Sequence, residues 1–233
     1  MDKLISKMND TVVSFLERCT WYSSLEERHA QLVASHAVFK IIQKQEIFFQ
    51  RGDQPLAWCG VMSGLVRVSS TNVDGKVFSY GGLIEGGWFN ETPILKNSPL
   101  QYEATALRDT QIVLIPSHVF NILVKESLPF NHYLVNFLNQ RVIAYSSSLR
   151  NQRTATVELS VAKNLAAIFN PIFYMGDRKA VDLSQEEIGY LCGLSRQRVN
   201  VAMKKLIELG LVRSGYRTVE IIDYDGLRFF SND

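Results

Sequence analysis

The stretch Leu183 to Val212, LSQEEIGYLCGLSRQRVNVAMKKLIELGLV, limits what this chain can fold into more than any other. Ser184 and Glu187 stand at the spacing where a hydroxyl and a carboxylate each accept a backbone amide at a helix start. Ile188 and Leu191 give that helix a buried face, and Gly189 removes a side chain where a second helix crosses closely. Gly193 permits a sharp turn and Ser195 supplies the next cap. Val199, Met203 and Leu206 then recur at three- and four-residue intervals, the buried stripe of the second helix. Small residue, turn glycine and apolar residue in this order predict a helix-turn-helix. Leu211 to Arg213 and Tyr216 to Ile222 follow as the two strands of a hairpin wing.

The exposed side of the second helix carries Arg196, Arg198, Lys204 and Lys205, with no acid between Ser195 and Leu206. Its N-terminal end is the part that enters the DNA major groove in this motif. Arg196 suits guanine O6 and N7, while Gln197 and Asn200 suit adenine N6 and N7. Arg198 and Lys205 suit phosphates, which position a protein without reading sequence. The candidate DNA contacts are therefore Ser195, Arg196, Gln197, Arg198, Asn200, Lys204 and Lys205. A solvated basic face, on a winged helix that binds protein instead, is the competing reading.

Upstream, the chain divides into two further sections. Residues 1–128 open with a helical stretch, Thr11 to Ser35. Short strand-like runs cut by glycines follow: Glu46 to Gln50, Trp58 to Met62, Leu65 to Ser69 and Thr110 to Ile115. Asp74-Gly75 is a hairpin signal, and Gly81-Gly82 and Gly86-Gly87 read as turns. Close strand spacing of this kind predicts an antiparallel roll or barrel. Residues 129–155 hold one long helix without internal proline or glycine, from about Phe130 to Arg153. Leu134, Leu138, Val142, Tyr145 and Leu149 form its predicted seam, the pattern of a paired helix, so a homodimer is expected. Arg141, Arg150 and Arg153 fall off that seam. Residues 156–233 contain Leu159 to Phe169 as an amphipathic helix, a loop at 175–179 and the helix-turn-helix.

Composition narrows the chemistry. Cys19, Cys59 and Cys192 form neither a disulfide framework nor a metal spacing, and the four histidines are scattered. The N-terminal MDKLISKMND has no apolar signal core, and no run approaches the ~18 apolar residues of a membrane span. The chain reads as soluble and cytoplasmic, without a membrane partner. No Ser/His/Asp set, metal cluster or phosphate-cradling loop is present, so an enzyme is not expected. Formal charge is +2, too small to name a partner by itself.

Taken together, the Gly52-Asp53 and Ser63-Gly64 punctuation, the Asp74-Gly75 turn, the Gly87-x-Phe89-x-Glu91 run, Ala104-x-Ala106 continuing through DTQIVLIP to Phe120, and LSRQRVN resemble the cyclic-AMP receptor protein / fumarate-nitrate regulator family of bacterial transcription factors. The resemblance spans nearly the whole chain. It implies an α+β chain: an N-terminal cyclic-nucleotide-binding-type antiparallel β-roll, a long dimerisation helix and a C-terminal winged helix-turn-helix. It further implies double-stranded DNA, a second copy and RNA polymerase as partners. Members that bind cyclic AMP carry Gly-Glu-Leu and, about ten residues on, Arg-Ser. Here the first segment reads Asn90-Glu91-Thr92 after Phe89, and the second falls on Leu100-Gln101, neither of which can neutralise a phosphate. Lys96 is a nearby lysine that could reach inward or stay solvated. The two base-reaching positions on the long helix fall on Tyr145 and Ser146. No iron–sulfur or haem ligand pattern is present, so no cofactor is expected. Two effector readings stand: a ligand other than cyclic AMP, such as a cyclic dinucleotide or an uncharged or aromatic metabolite, or a vestigial pocket and activity without ligand.

Overall fold

The computed structural model describes residues 2–72, 74–75, 77–151, 156–170 and 179–231; the side chains of residues 2–9, 144–145 and 147–151 lie outside that description. The chain forms two compact units, Met1–Val66 with Leu83–Asn139, and Arg67–Gly82 with Gln140–Asp233. The first part of the chain runs α1 (Asp2–Glu17), α2 (Thr20–Ser23), α3 (Glu27–His36), β1 (Val38–Ile42), β2 (Ile47–Phe49), β3 (Ala57–Ser63), β4 (Val66–Thr71), β5 (Val77–Leu83), β6 (Trp88–Phe89), α4 (Glu91–Lys96), β7 (Glu103–Ala106), β8 (Thr110–Pro116) and α5 (Ser117–Glu126). The rest runs α6 (Leu128–Asn151), α7 (Val157–Ile168), β9 (Ala180–Asp182), α8 (Gln185–Cys192), α9 (Arg196–Glu208), β10 (Val212–Gly215), β11 (Thr218–Ile221) and α10 (Tyr224–Arg228).

Two four-stranded sheets make the roll, in the orders β1-β8-β3-β6 and β2-β7-β4-β5. β3 pairs antiparallel with β8, Trp58 opposite Ile115 and Gly60 opposite Val113. Six of its seven residues are buried, which explains an unbroken apolar run where an alternation would mark a strand with one wet face. Three tryptophans hold this part of the core. Trp58 lies 4.2 Å from Trp88 and 4.9 Å from Trp21, ring centre to ring centre, with the edges of Phe120 and Phe130 against Trp58. Trp21 comes from the N-terminal helices, so that segment closes the sheet's outer side. The helical region expected from Thr11 is therefore three helices that begin at Asp2. Gly81 and Gly82 lie inside β5 and not in a turn, whereas Gly86 sits in the turn before β6.

α6 starts on Ser127, whose side chain accepts the Phe130 amide at 3.3 Å. The helix shows two apolar faces. Leu134 (4% exposed) and Phe137 (1%) are buried in their own unit. Leu128, Val135 and Val142 are 61–66% exposed and recur every seven residues, with half-buried Leu138 between them. Leu134 thus belongs to the core, and Val135 takes the place expected of it on the outward stripe. The side chains of Tyr145, Leu149, Arg150 and Arg153, like residues 175–178 of the expected loop, lie outside the described residues.

In the C-terminal part, α7 packs on α9, and Leu159, Ala162 and Leu165 on the former and Val199, Met203 and Leu206 on the latter are buried. The wing is a three-stranded sheet, β10-β11-β9, one strand larger than expected, with Val212 opposite Ile221 and Thr218 opposite Asp182.

Candidate functional site

The helix-turn-helix is built by the residues that predicted it. Ser184 and Glu187 form a complete capping box at the start of α8. Glu187 Oε2 accepts the Ser184 amide at 2.8 Å, and Ser184 Oγ accepts the Glu187 amide at 3.2 Å. α8 ends on Gly193 at φ +66, and the Leu194 amide returns to the Gly189 carbonyl at 2.9 Å. A Cβ on Gly189 would stand 2.6 Å from the Leu194 carbonyl oxygen, so the crossing leaves no room for a side chain. Ser195 caps α9 by accepting the Arg198 amide at 3.4 Å.

The outer face of α9 is polar and basic. Arg196, Gln197, Arg198, Lys204 and Lys205 are all exposed. Among the described residues, none of the four cations has an acid within ion-pair distance. The first turn of α9 holds Arg196 and Arg198 and no acid. Positive side chains there oppose the helix dipole, whose N-terminal end carries about half a positive charge. The arrangement lowers helix stability and strengthens attraction for an anion at the same place. Asn200 differs from its neighbours: it is half-buried, and its amide donates to Gln185 Oε1 of α8 at 3.1 Å. Beside α9 runs a groove of about 700 Å³, lined by Lys204, Lys205, Glu208, Thr156, Glu158 and Val201. Val201 was not among the residues singled out from sequence. An apolar residue between basic ones carries no motif signal, and only its 61% exposure reveals it.

The roll brings together the segment from Phe89 to Thr92 and the segment around Leu100. Phe89 (2% exposed) packs edge-on to Phe48 and Phe49. Asn90 takes the left-handed backbone conformation, φ +80. Asparagine is among the few side-chain-bearing residues that tolerate this region, which explains how it stands where glycine is expected. Its side chain is tied on both ends: Nδ2 donates to the Ala57 carbonyl at 3.2 Å, and Oδ1 accepts the Tyr102 hydroxyl at 2.6 Å. Glu91 is 2% exposed, while Thr92 is exposed. Leu100 is fully buried, its amide bonded to the Asp53 carbonyl and its carbonyl to the Gly52 amide, both at 2.9 Å. Gln101 is exposed, and its amide donates to the Pro99 carbonyl at 3.2 Å. Lys96 is exposed at the end of α4. Ser146 is exposed on α6. Tyr102 was missed by sequence reasoning, because a single tyrosine in a loop gives no pattern.

The cysteines are structural. Burial pushes the Cys19 and Cys192 thiols up to about 12 and holds Cys59 well above its ordinary value. Such thiols stay protonated near neutral pH, when the thiolate is the reactive form. Among the described residues no group of three or more His, Cys, Asp or Glu could hold a metal, and no helix is long and apolar enough to cross a membrane.

Comparison with known proteins agrees with this geometry. The family model described as "Cyclic nucleotide-binding domain" matches residues 39–127, and "Crp-like helix-turn-helix domain" matches residues 158–230. The Cyclic AMP receptor protein of Thermus thermophilus is 25% identical over 206 residues, covering 86% of this chain and 91% of the relative. The Transcriptional regulator SdrP of the same organism is 26% identical, covering 72% and 80%. Among solved structures, FixK2 from Bradyrhizobium japonicum superposes with a TM-score of 0.65 at 19% identity, over 82% of this chain and 95% of that one. The c-di-GMP Responsive Global Regulator CLP of Xanthomonas campestris gives 0.56 at 17%, over 84% and 99%.

Proposed function

Because the chain belongs to the cyclic-AMP receptor protein / fumarate-nitrate regulator family of transcription regulators, we propose that it acts as a homodimer that reads a two-fold symmetric DNA site through α9 and answers to a small effector other than cyclic AMP. In this reading Arg196 and Gln197 meet base edges, and Arg198, Lys204 and Lys205 meet phosphates. Asn200, tied to Gln185, braces α9 against α8. RNA polymerase is the further partner that family membership implies. The chain divides by role into a sensor, residues 1–128, a dimerisation helix, 129–155, and a DNA-binding part, 156–233.

The dimer rests on the outward stripe of α6. Leu128, Val135 and Val142 occupy one heptad position, and Leu138 the other. β-branched valine at two of the three sites of the first and leucine at the second favour two parallel strands. A two-fold dimer presents two copies of α9, as half-sites one helical turn of DNA apart require.

The effector reading rests on one observation: the position expected to neutralise a cyclic phosphate is Leu100, fully buried, with both its backbone groups already bonded. A ligand held there must do without a cation from Leu100 or Gln101, which favours an uncharged or differently arranged molecule. CLP, a c-di-GMP responsive regulator, shares the fold, and a cyclic dinucleotide is one such arrangement. A second reading, a factor active without ligand, is favoured by the Ala57–Asn90–Tyr102 bond chain, which occupies the ribose end of the site with the protein's own groups.

Selection of bound DNA from a random pool, with and without cell extract, tests the whole reading. A symmetric site enriched more strongly with extract supports an effector, and equal enrichment supports the ligand-free form. Calorimetric titration with cyclic AMP should show no saturable binding in the micromolar range. Micromolar binding would overturn the roles given to Leu100 and Gln101.

A further inference from the structure

The geometry of α9 points to Val201 as a residue that reads sequence, by apolar contact with the C5-methyl group of a thymine in the major groove. The inference deepens the DNA-binding reading and rests on it. At 100° per residue, the buried stripe of Val199, Ala202, Met203 and Leu206 leaves one ridge facing directly away from the core: Gln197, Val201, Lys204 and Glu208. Val201 lies in the second turn of the helix, close to its groove-entering end, and is 61% exposed.

An exposed valine alone needs no explanation. Three features set this one apart. Its ridge neighbours at one turn's distance are Gln197 and Lys204, so it sits between a side chain suited to base edges and one suited to phosphate. As a β-branched residue it is a poorer helix former than the lysine, arginine or glutamine of the same face, and solvent gives no return for that. Asn200, next to it, has its amide engaged with Gln185, which leaves Val201 as the central contact surface of the second turn.

The chemistry of the groove fits one partner. Of the four bases only thymine presents an apolar group on its major-groove edge, the C5-methyl, and small apolar side chains contact it. A valine pressed against cytosine N4 or guanine O6 would strip water from a donor or acceptor and return no hydrogen bond, a penalty that turns an apolar contact into discrimination. Val201 therefore favours thymine both by attraction and by exclusion.

The experiment removes the methyl and nothing else. On the site enriched by the wild-type protein, each thymine is replaced singly, and then symmetrically, by deoxyuridine, and binding is measured for wild type and Val201→Ala. One position per half-site should lose about fourfold for wild type, and about fifteenfold when both half-sites are changed, from the burial of one methyl each. Val201→Ala should lose most of that difference and relax selection at this position alone, keeping the rest of the site. Thermal melts should show the variant folded, since the position is exposed and alanine is the better helix former. Equal wild-type binding to thymine and deoxyuridine at every position overturns the inference, as does a Val201→Ala variant that keeps the full difference; a specific site would still be found, and the DNA-binding reading would stand. A pool that yields no enriched site overturns both.

Discussion

Adjacent residues on α6 separate its buried face from the exposed stripe proposed as the dimer surface, and truncating each in turn tests the division. Leu134 is 4% exposed and Val135 is 65% exposed. Leu134→Ala removes a buried side chain and opens a cavity, at a cost of about 2–5 kcal/mol to the fold. Val135→Ala should leave the isolated subunit within about 0.5 kcal/mol, because the lost atoms face solvent there. In a symmetric dimer the same change strips two methyl groups from each helix. At about two-thirds of ~0.8 kcal/mol per methyl, the loss is about 1 kcal/mol per chain and about 2 kcal/mol per dimer, a dissociation constant weaker by roughly 30-fold. Sedimentation over a concentration series reads the dimer, and urea melts at dilution, where subunits are apart, read the fold. The expected pattern is a shifted dimer equilibrium with unchanged dilute stability for Val135→Ala, and lowered stability for Leu134→Ala. A Val135→Ala protein that dimerises as wild type would refute the outward stripe as the seam.

Three further outcomes follow from the geometry. Gly189→Ala gains about 1 kcal/mol in helix propensity but sets a methyl 2.6 Å from the Leu194 carbonyl, a backbone atom that cannot rotate away; overpacking of about 1–3 kcal/mol should win and lower stability and DNA binding together, whereas Gly193→Asn, at a left-handed position with open space, should be nearly neutral in the same melts. Burial pushes the Cys19 and Cys192 thiols up from about 9.0 in the unfolded chain to about 12 when folded, so the unfolded chain binds fewer protons between those values and stability must fall as pH rises through that window, by on the order of 1 kcal/mol per thiol at pH 10; a pH series of urea melts reads it, and native protein at pH 8 should resist thiol reagents until unfolded. Tyr102→Phe leaves Asn90 Oδ1, buried in a residue 1% exposed, without its 2.6 Å donor, and should cost about 1–3 kcal/mol by urea melt; an unchanged midpoint would mean the bond is not formed in solution.

What the sequence discloses depends on how local the cause is. The helix-turn-helix was legible to single residues because its constraints act within a few positions: a capping box, a glycine at a left-handed turn, a glycine where two backbones cross. On α6, two of the expected seam residues, Leu138 and Val142, lie on the outward stripe, whereas Leu134 is buried. Leu134, Val135, Phe137, Leu138 and Val142 are all apolar, and a helix with one buried and one exposed apolar face shows periodicity for both at once. Only burial tells them apart. β9 has three residues and no period of its own, and its identity as a strand comes from pairing with β11, far along the chain. Gly81-Gly82 reads as a turn because paired glycines usually mark one; in the fold both sit in a strand, Gly81 at φ +121.

The sensor segment obeys a different logic, in which one substitution makes sense of the next. In the family pattern that the sequence resembles, glycine stands at this position and leaves the expected ribose end open. Asn90 keeps the same left-handed backbone but brings an amide, which must be satisfied because it is buried; Ala57 and Tyr102 satisfy it. The phosphate end changes in parallel. A guanidinium there would contribute a charge-assisted bond worth about 1.5–3 kcal/mol, or roughly 10- to 150-fold in affinity. Leu100 contributes none, and as a fully buried leucine it makes the surroundings apolar, where an anion loses its hydration without a partner. Both terms act against a cyclic phosphate and neither acts against an uncharged molecule. Glu91 remains the buried acid of the segment. On the proposed effector reading, the alterations form a consistent exchange of one recognition chemistry for another, joined through the Asn90–Tyr102 bond.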